Sequence, residues 1–111
     1  MKISKMKQDY RREVEVSDLK DRMSYGKYLH LHNILDAQHL VSDQHDEMLF
    51  IIVHQVYELW FKEILHDLDS VMKLFSEGAV LERDLGTAIA RLDRVVKIQK
   101  ILVDQIDILE T

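Results

Sequence analysis

The stretch MLFIIVHQVYELWFKEILHDLDSVMKLF, residues 48–75, decides the fold. It has no proline or glycine, the residues that punctuate strands and loops, and it is far longer than a strand. Its first six residues, Met48 to Val53, are all apolar, which predicts burial on every side there. Further along, Ile64, Leu65, Leu68, Val71, Met72 and Phe75 narrow to a stripe at three-and-four spacing with charges opposite. That is the period of an amphipathic helix. Ser42 to Glu47 supply N-cap candidates and early acidic residues, so the helix is expected from about 44 to Ser76.

Outward from this helix, Gly78 and Ala79 predict a turn. A second long helix is expected over roughly 81–111. Leu85, Ile89, Leu92, Val96, Val103 and Ile106 form its stripe, and Glu82, Arg83, Arg91, Asp93, Arg94 and Lys97 lie opposite. Gly86 and Ala88 make its first turns the weakest part. Ile98, Ile101, Leu102, Ile108 and Leu109 add more apolar surface than one antiparallel partner covers. Some thirty residues at ~1.5 Å rise make a ~45 Å rod, too long for a compact bundle of this chain length. The pattern reads as one that stops short of its partner helices. Toward the N-terminus, Leu31, Ile34 and Leu35 predict a short helix over 28–38. Residues 1–22 are charged and sparsely apolar, and are expected to form a flexible arm. The expected class is all-α, with two long antiparallel helices and a mobile N-terminal arm; 23–111 form the helical part.

The composition excludes several functions. The chain has 111 residues, a net charge of −5 and no cysteine, so there is no disulfide framework, zinc ribbon or thiolate nucleophile. Cysteine-free composition fits a cytoplasmic protein. Charges of both signs are interspersed, and no basic stripe could follow a phosphate backbone, so nucleic acid is not an expected partner. No apolar run reaches the ~20 residues of a membrane span, and Met1 to Lys7 does not resemble a signal peptide.

His54 is the residue that stands out for chemistry. It sits in the most apolar part of the chain and shares a helix face with Phe50, Tyr57 and Glu58. One flat apolar ring beside one polar tip suits a planar aromatic ligand that carries a single N–H, which neutral imidazole can accept. The plainer alternative, favoured by composition alone, is a core histidine satisfied by Glu58 or a backbone carbonyl. Glu63 and His66 form a Glu-x-x-His pair of the kind used in di-iron bundles, but no second pair exists. With Asp67 they read as a solvated surface. His30, His32 and His39 lack the spacing of a metal cluster.

Two blocks carry a more specific signal: YGKYLHLHNILDAQ, residues 25–38, and HDEMLFIIVHQVYELWFKEILHDLDS, residues 45–70. Their order and content resemble the opening of tryptophan 2,3-dioxygenases. RLDRVVKIQKILVDQIDILET, residues 91–111, is more loosely similar to that family's next long helix. The resemblance covers about residues 23–111. It implies a haem enzyme in which haem and O₂ carry the chemistry, inserting both oxygen atoms across the indole C2–C3 bond of L-tryptophan to give N-formylkynurenine, while protein supplies orientation and polarity. By resemblance, Phe50, Val53 and His54 belong to the substrate pocket, with His54 accepting the indole N–H. Tyr25, Tyr28 and Leu29 match an element that reaches into a neighbouring subunit's active site in a homotetramer. The axial haem histidine and the substrate-carboxylate arginine match no position here, so this chain alone is expected to be inactive. Two alternatives remain: a non-catalytic oligomerisation module built on exposed apolar rods, and a di-iron-like bundle completed by dimerising Glu63 and His66.

Overall fold

The computed structural model describes residues 24–76, 78 and 81–110. The expected arm, residues 1–22, and Ala79 of the expected turn lie outside them. The chain divides into two compact units, Met1–Val41 and Ser42–Thr111. Every regular element among the described residues is helical, as the sequence predicts.

In the first unit, the single helix expected over 28–38 is two short ones: α1, Tyr25–Leu29, and α2, Leu31–Leu35. The break is at His30, whose backbone is left-handed at φ 54° and ψ 42°. A non-glycine residue there costs roughly 1–2 kcal/mol. The backbone recovers part of that through hydrogen bonds on both sides. The His30 N–H donates back to the Gly26 and Lys27 carbonyls. Its own carbonyl accepts from Asn33 N at 3.0 Å, which starts α2. Ser24 caps α1, its hydroxyl accepting from Lys27 N at 3.3 Å.

The second unit is a hairpin of two long helices, α3, Glu47–Ser76, and α4, Glu82–Leu109. The entry to α3 is fixed by Glu47 itself. One of its carboxylate oxygens accepts from the backbone N–H and the hydroxyl of Ser42, at 2.8 and 2.7 Å. Gly78 takes φ 92° between the helices, a conformation that suits a residue without Cβ. Glu82 and Asp84 place negative charge at the positive end of α4. Tyr57 bonds to Leu102 and Asp67 to Arg94, so positions advance along α3 as they retreat along α4: the pair is antiparallel.

The seam between the two helices follows a three-four alternation. On α3, Val53, Asp67 and Val71 are buried, with Tyr57, Trp60, Ile64 and Leu74 half-buried on the same line. On α4, Ala88, Val95 and Ile98 are buried, with Arg91, Leu102 and Gln105 completing the line. A three-four alternation is the seam pattern of long helices packed side by side. It corrects two expectations. The stretch from Met48 to Val53 is not buried all round: Val53 is 5% exposed, whereas Met48, Phe50 and Ile52 all face outward. A hairpin has one partner, so only one face of α3 can be covered. On α4 the stripe through Leu85, Ile89, Leu92, Val96, Val103 and Ile106 is exposed, and the weak-looking Ala88 is the most deeply buried residue. The small side chain lets the helices approach closely.

Asp67, expected on a solvated surface, is buried at 2% exposure. Arg94 grips it with both ends of its fork: Nε donates to one carboxylate oxygen at 2.8 Å and a terminal nitrogen to the other at 2.7 Å. The Arg94 hydrogen bonds hold the Asp67 carboxyl below its ordinary range against the opposing effect of burial, and nearby His66 and Arg91 act in the same direction. Asp67 raises Arg94 in turn.

Candidate functional site

The seam decides which side chains of α3 are left free. Once Val53 and Tyr57 turn toward α4, Phe50 and His54 fall on an open face one helical turn apart. Their rings lie with centroids 4.2 Å apart at 35°. Tyr57 meets His54 edge-on at 6.4 Å and 76°, and Phe61 continues the line, stacked on Tyr57 at 6.1 Å. The result is an aromatic ladder with one imidazole in it.

His54 Nδ1 lies 2.7 Å from the Phe50 carbonyl oxygen. A carbonyl can only accept, so the proton of the neutral ring belongs on Nδ1. Nε2 is then left with its lone pair, as a hydrogen-bond acceptor. The residue is thus satisfied by a backbone carbonyl, as one reading of the sequence allowed. It is exposed, however, and does not sit in a core. Its second nitrogen is available to a ligand.

Below this wall, the His54-to-Phe61 part of α3 and Leu102, Ile106 and Leu109 of α4 line an open groove of about 420 Å³. Its lining is apolar apart from His54, Glu58 and the Tyr57 hydroxyl. That hydroxyl donates to the Leu102 carbonyl at 2.7 Å and ties the groove's two sides together. Large apolar content with a few placed polar groups is the usual make-up of a small-molecule site.

The sequence-predicted site residues fall into three places. Phe50 and His54 form the wall. Val53 is buried in the seam and supports the wall from behind without lining it. Tyr25, Tyr28 and Leu29 lie on α1 in the other unit, with Tyr28 45% exposed. Beside them Ser24, Lys27, His30 and Asn33 line an open hollow of about 510 Å³. Of the di-iron candidates, His66 is exposed and Glu63 half-buried, while Asp67, the residue after His66, is committed to Arg94. Among the described residues no group of three or more potential ligands converges on a metal position. Tyr57 had been noted only as a neighbour of His54. Its cross-helix bond was not legible, because a tyrosine within an apolar run reads as core.

A ring-plus-acceptor wall beside an apolar groove has the chemistry that a flat, N–H-bearing aromatic molecule would match. Comparison with known proteins narrows that class. Residues 9–111 match the family model described as tryptophan 2,3-dioxygenase. A tryptophan 2,3-dioxygenase of Bdellovibrio bacteriovorus is 52% identical over 92 residues, which cover 78% of this chain and 26% of that protein. The tryptophan 2,3-dioxygenase of Mus musculus is 53% identical over 98 residues, covering 83% of this chain and 24% of the relative. That of Dictyostelium discoideum is 49% identical over 92 residues, 78% of this chain and 23% of the relative. The chain belongs to the tryptophan 2,3-dioxygenase family. It spans about a quarter of the length of the curated relatives it matches. No helix among the described residues is long and apolar enough to cross a membrane.

Proposed function

We propose that this chain is the N-terminal, substrate-side portion of a haem-dependent tryptophan 2,3-dioxygenase. Its part in the reaction of L-tryptophan with O₂ to N-formylkynurenine is to hold the indole. The observation that carries this reading is the 2.7 Å contact between His54 Nδ1 and the Phe50 carbonyl. It turns Nε2 into the acceptor that an indole N–H requires, while the Phe50 ring 4.2 Å away offers the flat surface. His54 acts here by orientation. Indole N–H is a very weak acid, and a hydrogen bond to a neutral imidazole positions the ring without removing its proton.

A haem requires an axial donor and apolar walls on both faces of the macrocycle. The described residues form one open face, with Phe50 56% exposed, and so they fit the substrate side but not, by themselves, the haem site. The axial ligand and the carboxylate-binding arginine are assigned to other parts of the complete enzyme. A cytoplasmic homotetramer is the assembly that fits. In it the Tyr25, Tyr28 and Leu29 element belongs to a neighbour's site, and the exposed stripe of α4 is covered by protein.

The test compares L-tryptophan with its indole N-methyl analogue in the complete enzyme, with and without His54→Ala. Loss of one hydrogen bond of ~1–2 kcal/mol predicts a fall in kcat/KM for tryptophan of about 5- to 30-fold. The N-methyl analogue should be much less affected. Equal losses for both substrates would remove the N–H acceptor role. A haemin titration of the isolated chain checks the division of labour: no specific Soret band is expected, and a stoichiometric histidine-ligated spectrum that responds to tryptophan would overturn it.

A further inference from the structure

We infer that Tyr57 is a positioning residue for His54, holding the imidazole in the tautomer that presents Nε2 as an acceptor. This inference rests on the substrate-wall reading of His54. On the exposed face of a helix an imidazole is free to change rotamer and to swing its Nδ1 off the carbonyl. The Phe50 ring bounds His54 on one side at 4.2 Å and 35°, and the Tyr57 ring bounds it on the other, edge-on at 6.4 Å and 76°. Phe50 is itself exposed and has no hydrogen-bonding atom to fix it. Tyr57 differs. It lies on the seam, half-buried, and its hydroxyl donates to the Leu102 carbonyl at 2.7 Å across the two helices. Phe61 stacks on its other side at 6.1 Å. The phenol is thus held at its tip and along its ring, and it is the fixed edge against which His54 is set.

The hydroxyl carries the effect. Without it the Tyr57 ring keeps its volume but loses the one bond that fixes its tilt, and the imidazole beside it regains freedom. The Nδ1–H tautomer then gives way to a mixture with Nε2–H, a form that offers a donor where the indole needs an acceptor.

The experiment measures imidazole ¹⁵N shifts of His54 in the 111-residue chain without any ligand. Tyr57→Phe and Tyr57→Leu are compared with Phe61→Leu, and far-UV circular dichroism reports helicity. In the unsubstituted chain the Nδ1–H tautomer should dominate. Tyr57→Phe should lower the Nδ1–H to Nε2–H ratio by roughly two- to fivefold, the upper figure being what a net hydrogen bond of ~1 kcal/mol sets. Tyr57→Leu should lower it further, and Phe61→Leu, which leaves the hydroxyl bond in place, should lower it less than Tyr57→Phe does. A ratio unchanged in Tyr57→Phe overturns the inference. So does an equal change in Phe61→Leu, which would make the effect one of general packing. If Tyr57→Leu loses its helicity, the Phe variant decides alone. The comparison of L-tryptophan with its N-methyl analogue in the complete enzyme, with and without His54→Ala, separates the two claims. A tautomer that depends on Tyr57 together with equal losses for both substrates upholds the positioning role and sinks the substrate-wall reading.

Discussion

Replacing Arg94 with methionine would keep the length of its stem while removing the fork that grips Asp67. The two partners are unequally placed: the Asp67 side chain is 3% exposed and that of Arg94 56%. Asp67→Asn therefore frees Arg94 into water and loses little beyond the charge-assisted part of two hydrogen bonds, about 1 kcal/mol. Arg94→Met instead strands a carboxylate in the seam. Stranding a buried charge typically costs about 3–5 kcal/mol. Among the described residues of this unit two helices form the cover, so water reaches the group once the hairpin relaxes, and ~2–3 kcal/mol is the expected loss. For a unit of this size each ~1 kcal/mol moves Tm by about 4–8 °C. A thermal melt followed by circular dichroism near neutral pH should thus place Arg94→Met well below Asp67→Asn, with the unsubstituted chain highest. The reverse order, or equal melts, would refute the reasoning, since it would mean that Asp67 is solvated and the pair is an ordinary surface contact.

Asp67 also sets a pH dependence. Its folded pKa is depressed, mainly by the Arg94 hydrogen bonds, so its contribution is present above the ordinary aspartate range near ~3.9 and is lost as pH falls through the folded value. The stability difference between the unsubstituted chain and Asp67→Asn, measured by urea titration, should be constant above about pH 5 and shrink toward zero in stronger acid. At Ala88, 1% exposed, leucine would overpack the seam between the helices and cost about 1–3 kcal/mol in the same melt. Ile89→Ala, next door but 65% exposed, should change stability by less than about 0.5 kcal/mol. Gly78→Ala places a Cβ at φ 92°, and a loss of about 1 kcal/mol is expected although no atom lies within 4 Å of the new methyl.

The long helices were legible because residues 48–75 contain nothing that could interrupt them and their apolar spacing has one period. The partner faces were less legible. On α4 two stripes of apolar residues run side by side, one through Ala88, Val95 and Ile98 and one through Leu85, Ile89, Leu92 and Val96. Residue size pointed to the second, whereas close packing in the hairpin selects the first, which contains alanine. The burial of Asp67 was not legible for a related reason. An aspartate beside His66 and near Glu63 reads as surface, and only the register of α3 against α4 brings Arg94 within reach. At the candidate site, the adjacency of Phe50 and His54 was legible from their four-residue spacing. The tautomer of His54 was not, since it depends on which carbonyl the ring meets. His30 was read as part of a continuous helix because no residue there signals a break. Its left-handed backbone is a histidine in a place where glycine is the usual choice.

The Tyr57 contact has a consequence for the order in which the hairpin opens and closes. Asp67 and Arg94 are 27 residues apart along the chain, and Tyr57 and Leu102 are 45 apart. Closing the longer loop costs more entropy, and every contact on the Gly78 side shortens the remaining gap. The two helices should therefore zip from the turn outward, with Ala88 engaged early and the Tyr57 end engaged last. Fraying runs the other way. Amide protons around His54 and Leu102 should exchange with solvent sooner than those around Val71 and Ala88, and the candidate wall of Phe50 and His54 lies in the part of the hairpin that opens at least expense.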